Sequence, residues 1–167
     1  LSAVPSDERI TLWQGDITRL SADAIVNAAN AALLGCFIPC HRCIDNAIHS
    51  AAGLQLRAEC AALMERQGHP EETGTAKITQ GYNLPARHVI HTVGPIVSGA
   101  LTDEHRELLA SCYRSCLHLA AEHGLRSIVF CCISTGEFHF PNKEAADVAV
   151  REVRAFLAQN KSMERVV

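Results

Sequence analysis

Apolar positions along the chain fall into a short series of runs with alternating periods. Ile10–Gln14 (ITLWQ) predicts a strand closed by Gly15-Asp16, and Ala24–Asn27 (AIVN) predicts a second, buried strand. From Ala28 to Cys43 the pattern is lost and small residues dominate. Ile44, Ile48, Ala52, Leu56, Cys60 and Leu63 then recur at helical spacing, predicting a helix from about Asp45 to Arg66 with Asp45 as its N-cap. Strands follow at Ala76–Gly81 and His88–Val93. A second long helix is expected over Leu101–His123, ended by Gly124. Ser127–Cys132 (SIVFCC) reads as a buried strand and Ser134–Phe140 as a loop. Pro141 is placed to open a last helix reaching about Gln159.

Strands alternating with helices predict an α/β domain with a mixed sheet and helices on both faces. There is no internal repeat, linker or second domain in the 167 residues, so the chain reads as one domain, 1–167. Leu1–Glu8 is polar and reads as a tail. The opening Leu1 and the closing MERVV, which resembles the start of a strand, read as a chain trimmed at both ends. In sheets of this kind ligands sit in loops beyond the carboxyl ends of the strands. Three loops qualify: Gly15-Asp16, 28–43 and 134–140.

Composition narrows this further. With 48% hydrophobic and 20% charged residues the chain is globular, not disordered. A net charge of −3 gives no overall footprint for nucleic acid. No membrane-length apolar run and no secretory signal is present. Eight cysteines in a chain with a sizeable core read as reduced thiols, so a reducing intracellular compartment, cytoplasmic or mitochondrial, is expected. A monomer is expected.

The cysteines cluster. Cys36, Cys40, His41 and Cys43 share eight residues in a loop ahead of a helix, a donor set suited to Zn²⁺. His41 and Cys43, two apart, point the same way in an extended segment, Cys40 points away, and Cys36 can loop back across Pro39. Three ligands, Cys36, His41 and Cys43, leave one position open, which is the catalytic pattern. Two plainer explanations stand beside it: buried thiols with a core histidine, or a closed structural zinc with Cys40 as fourth ligand. The remaining cysteines, with Trp13, read as core, and His49, His88 and His91 as structural histidines.

Other features are weaker alone. Ser134-Thr135-Gly136-Glu137-Phe138 follows a strand and could cradle phosphate on its N–H groups, or merely turn the chain. Asp16 could accept from an exocyclic amine or cap a turn. Asn27 and Asn30 flank two alanines at a strand end, where amides can orient ribose hydroxyls or simply shape turns. Asp45 could cap the helix or position a water.

In order, GDIT (15–18), DAIVNAAN (23–30), IHTVGP (90–95) and ISTGEFHFPN (133–142) resemble the macrodomain family across almost the whole chain. The resemblance implies a three-layer α/β/α fold that binds ADP-ribose, and it is closest to the branch that removes ADP-ribose from proteins. Where that branch has a glycine run, this chain has GCFIPCHRCIDN (35–46), which is similar to the zinc-dependent subgroup of macrodomain hydrolases. It implies a catalytic Zn²⁺ on Cys36, His41 and Cys43. It also implies adenine at Asp16 and Ile17, distal ribose at Asn27, Asn30, Asp45 and Phe138, and diphosphate on Ser134, Thr135, Gly136 and Glu137. Asn30 and Asp45 are then the candidate catalytic residues. The expected reaction is hydrolysis of mono-ADP-ribose esters on Asp or Glu side chains of a modified protein. The rival readings are an ADP-ribose-binding module with a structural zinc, and a hydrolase of small O-acyl-ADP-ribose esters.

Overall fold

A computed structural model describes residues 7–167. Its strands are β1 (Ala24–Ala28), β2 (Ala76–Gln80), β3 (His88–Thr92), β4 (Ser127–Val129) and β5 (Arg165–Val166). Its helices are α1 (Ile44–Ala52), α2 (Leu54–Gln67), α3 (Asp103–Glu122) and α4 (Asn142–Gln159). The sheet order is β2-β3-β1-β4-β5. Only β2 runs antiparallel, against β3, so the sheet is mixed as expected.

Alternation along the central strands makes the three layers. Ala24, Val26, Ile90 and Ile128 face α3 and α4, while Ile25, Val89 and Val129 face α1 and α2. All seven are buried, and each aliphatic side chain so removed from water contributes about 1.5–3 kcal/mol. Asp23 pins the amino ends of the strands: its Oδ2 accepts from Arg126 N (2.8 Å) and Ser127 N (3.1 Å). The carboxyl ends of the parallel strands therefore share the opposite edge, and the two long loops leave from there. Among the described residues no helix is long and apolar enough to cross a membrane.

Several expected elements are corrected. Ile10–Gln14 is not a strand. Ile10 makes a single parallel bridge to Val166, and pairing stops there because β5 is only two residues long. Trp13, expected in the core, is half exposed, and Leu12 is almost fully so. The long first helix is two, broken at Gly53, whose φ of +94° no side-chain-bearing residue adopts without strain. Asp45 is not the N-cap of α1. Cys43 is, its Sγ accepting from Asn46 N at 3.3 Å. The strand expected over Ser127–Cys132 closes at Val129, and Cys132, expected in the core, is exposed. Of the expected tail, residues 1–6 lie outside the described residues. The Asp7–Arg9 turn is held down, with Arg9 donating to the carbonyls of Leu157 (2.8 Å) and Asn160 (2.7 Å).

Candidate functional site

The loop after β1 folds into an arch over the amino end of α1, and three side chains hold it there. Asn46 Nδ2 donates to Cys36 O (2.8 Å). Arg57 Nε donates to Leu34 O (3.2 Å), and its guanidinium stacks 5.1 Å from the Phe37 ring centre. The Phe37 ring meets His49 edge-on at 5.9 Å. Asn46 and Arg57 are the supporting residues that spacing alone does not single out, because both look like ordinary helix-surface residues.

At the tip of this arch Cys36, His41 and Cys43 come together, with one ligand atom from each within 4.8 Å of the others. Cys36 Sγ lies 3.2 Å from His41 Nδ1. Tetrahedral zinc with bonds of about 2.3 Å to sulfur and 2.0 Å to nitrogen needs separations of about 3.5 Å, so the donor set fits this ion. All three are half-buried, and burial pushes the Cys43 thiol up. The positive end of α1 directly behind acts the other way and favours a thiolate. Cys40 is exposed, has φ of +61°, and stands outside the group.

The loop after β4 forms the facing wall. Among the described residues, none of the backbone N–H groups from Ser134 to Phe138 donates to a backbone carbonyl. Ser134 is buried with φ of +64°, and its Oγ has no protein partner. Gly94 makes room for it, since a Cβ there would come within 2.0 Å of Ser134 Oγ. The two walls touch where Glu137 Oε1 lies 3.5 Å from His41 Nε2. Between them is a cleft of about 560 Å³, lined by Asn30, Cys36, His41 and Cys43 on one side and Ser134–Phe138 on the other. A second, more apolar cleft of about 590 Å³ adjoins it at Cys131, Cys132, Thr135 and Gly136, and is walled by Trp13, Tyr113 and Phe130.

The other candidates fall in different places. Asn30 is exposed on the cleft, its Oδ1 accepting from Ala32 N at 3.2 Å. Asn27 and Asp45 lie beneath the cleft floor: Asn27 is fully buried and donates to Asp45 Oδ1 at 2.8 Å. Burial raises the Asp45 carboxyl, and its Oδ1 lies 3.6 Å from Nε2 of His49, whose charged form burial disfavours. Asp16 is exposed and caps a short turn over Ile17–Arg19, accepting from Thr18 N (3.0 Å) and Thr18 Oγ1 (2.6 Å). Ile17 is buried against the α1 side of the core. Neither residue lines the two clefts.

The clefts of this three-layer α/β/α domain lie beyond the carboxyl ends of its parallel strands, where sheets of this kind bind ligands. The Macro domain family model matches residues 26–149, and the chain belongs to that family. It is 59% identical over 156 residues to a protein-ADP-ribose hydrolase of Treponema medium, covering 93% of this chain and 60% of the relative. It is 53% identical over 161 residues to a protein-ADP-ribose hydrolase of Staphylococcus aureus strain MSSA476, covering 96% and 60%. The chain thus spans about 60% of the length of these relatives. Among solved structures it resembles a variant Oceanobacillus iheyensis macrodomain with ADPR (TM-score 0.83, 42% identity, 92% of this chain and 80% of the other). It also resembles a Trypanosoma brucei macrodomain in complex with ADP-ribose (TM-score 0.82, 42% identity, 98% and 65%).

Proposed function

We propose that this domain hydrolyses the ester joining mono-ADP-ribose to acidic side chains of proteins, using zinc held by Cys36, His41 and Cys43. One observation carries the reading: three soft donors stand on one wall of a cleft whose other wall offers a run of unpaired N–H groups. The relatives named as protein-ADP-ribose hydrolases and the macrodomain complex with ADP-ribose support the choice of substrate.

The parts divide along the ligand. The N–H groups of Ser134, Thr135, Gly136 and Glu137 hold the diphosphate, which needs no basic surface. Phe138 packs against the distal ribose, and Asn30 orients its hydroxyls from the opposite wall. Asp16 and Ile17 lie outside both clefts, and their assignment to the adenine end rests on the family resemblance alone. Asp45, below the arch, positions the reacting groups, with Asn27 fixing its orientation. Cys36, His41 and Cys43 would hold the zinc, which would supply Lewis-acid chemistry by polarising an oxygen of the scissile linkage or lowering the pKa of a water. Holding phosphate and ribose at fixed points places the ester at the donor triad, so much of the barrier is met by positioning. On this reading the eight cysteines of the sequence are reduced thiols in a cytoplasmic or mitochondrial compartment, and the domain is a monomer.

The test is release of ADP-ribose from a peptide modified on glutamate, with and without a chelator. Release that stops on chelation and returns with zinc is expected. Chelator-insensitive release would remove the metal from the mechanism. Tight ADP-ribose binding with no release would identify a reader module. Turnover confined to O-acyl-ADP-ribose would reassign the substrate.

A further inference from the structure

Beneath the cleft a chain of hydrogen bonds crosses three adjacent strands. Asn27 on β1 and His91 on β3 are direct register partners, both fully buried. The Asn27 amide nitrogen lies 2.8 Å from Asp45 Oδ1 and 3.2 Å from His91 Nδ1. With the Asn27 amide oriented this way, its oxygen left without a partner, His91 Nδ1 accepts and Nε2 carries the ring hydrogen. That nitrogen lies 3.0 Å from Oγ1 of Thr79 on β2, buried in its turn, whose hydroxyl is left to donate to Val89 O at 3.4 Å. Every hydrogen in the series then has an assigned acceptor: Asn27 donates to both Asp45 and His91, His91 to Thr79, and Thr79 to Val89 O.

The same pocket could suggest a metal, since His49, Cys60 and His91 each bring a ligand atom within 4.8 Å of the others. The hydrogen bonds argue against it. Both ring nitrogens of His91 are committed, to Asn27 and to Thr79. We propose that Thr79 and His91 are positioning residues, acting through Asn27 to hold the Asp45 carboxylate in one orientation under the reaction site. The inference rests on the proposed function only in placing Asp45 among the reacting groups. Without His91 as acceptor, the Asn27 amide is free to turn, and a turned amide would set its oxygen against the carboxylate.

The experiment compares wild type with Thr79→Val and Thr79→Ser on a glutamate-modified peptide, alongside ADP-ribose affinity, zinc content and the ¹⁵N spectrum of the histidine rings. Thr79→Val should lower kcat about tenfold with KM, ADP-ribose affinity and zinc content unchanged, and Thr79→Ser should recover most of the loss. Wild-type His91 should be neutral with Nε2 protonated from pH 5 to 8. A folded Thr79→Val with kcat within twofold of wild type, or a Thr79→Ser no better than Thr79→Val, would overturn the relay. So would a hydrogen on His91 Nδ1, or a second zinc per chain lost in Cys60→Ala. If wild type shows no turnover, the functional reading falls and the ring spectrum, which needs no activity, decides the relay. It also decides should Thr79→Val fail to fold.

Discussion

Two clusters of cysteine and histidine lie close together in this protein, one on the 36–43 loop and one in the core under α1, and the proposed function gives a metal to the first alone. Each brings three ligand atoms within 4.8 Å, so proximity does not distinguish them. What differs is the state of the donors. In the core, burial pushes the Cys60 thiol up to about 12, while the His91 ring is spent on Asn27 and Thr79. On the loop the groups are half-buried, stand at the positive end of a helix and face a cleft. A metal site requires a thiol that can ionise and a ring with a free lone pair.

The largest expected effect tests that division directly. Cys43→Ser should lose bound zinc and at least about 100-fold in turnover, because an alcohol replaces a thiolate ligand. Compared metal-free, its melting temperature should match wild type, since serine caps a helix well, whereas Cys43→Ala adds about 1 kcal/mol of lost capping. Elemental analysis, turnover and thermal unfolding separate the two roles. Zinc retained in Cys43→Ser would erase the contrast between the clusters.

How far this was legible in the sequence depends on the range of each interaction. Local period and small-residue patterning place the helices and central strands well, because each repeats over several turns or pairs. Ile10–Gln14 misleads because its alternation is real but its partner, β5, ends after two residues. The long helix misleads because Gly53 sits amid continuous apolar spacing, and only its backbone angle shows the break. The grouping of Cys36, His41 and Cys43 is readable because the three donors lie within one loop. Asn27 and Asp45 were readable as residues, but their meeting with His91 and Thr79 depends on strand order, which spacing does not encode.

Acid should expose the core cluster next. Burial lowers His91 from its ordinary value to about 3. The unfolded chain then takes up a proton below about pH 6.5 that the folded chain refuses, so stability falls with pH, by about 2 kcal/mol at pH 5. His49, also lowered, adds with the same sign, while Asp45, raised, works the opposite way as it protonates. Urea midpoints at pH 7 and pH 5 should therefore differ less in His91→Gln than in wild type. An equal difference would show that the ring is not buried as a neutral group. Cys60→Ala comes below this. It should cost about 1–2 kcal/mol through lost packing and leave zinc content unchanged. Loss of zinc in that variant would place a ligand in the core.

Cys40 supplies the smallest effect and the sharpest control, since it stands between two proposed ligands in sequence yet outside their group in space. It is exposed, has a φ of +61°, and is not among the donors that meet there. Were the site a closed structural one, Cys40 would be the fourth ligand, and Cys40→Ser would weaken zinc as severely as Cys43→Ser. With an open site the same change should leave zinc content and turnover intact and shift stability by less than about 0.5 kcal/mol. Cys40→Gly should even stabilise slightly, because glycine adopts this backbone angle without strain. Competition against a chelator, run on both variants beside wild type, reads the difference. Equal zinc affinity in wild type and Cys40→Ser means that the fourth position belongs to the cleft and to whatever binds there.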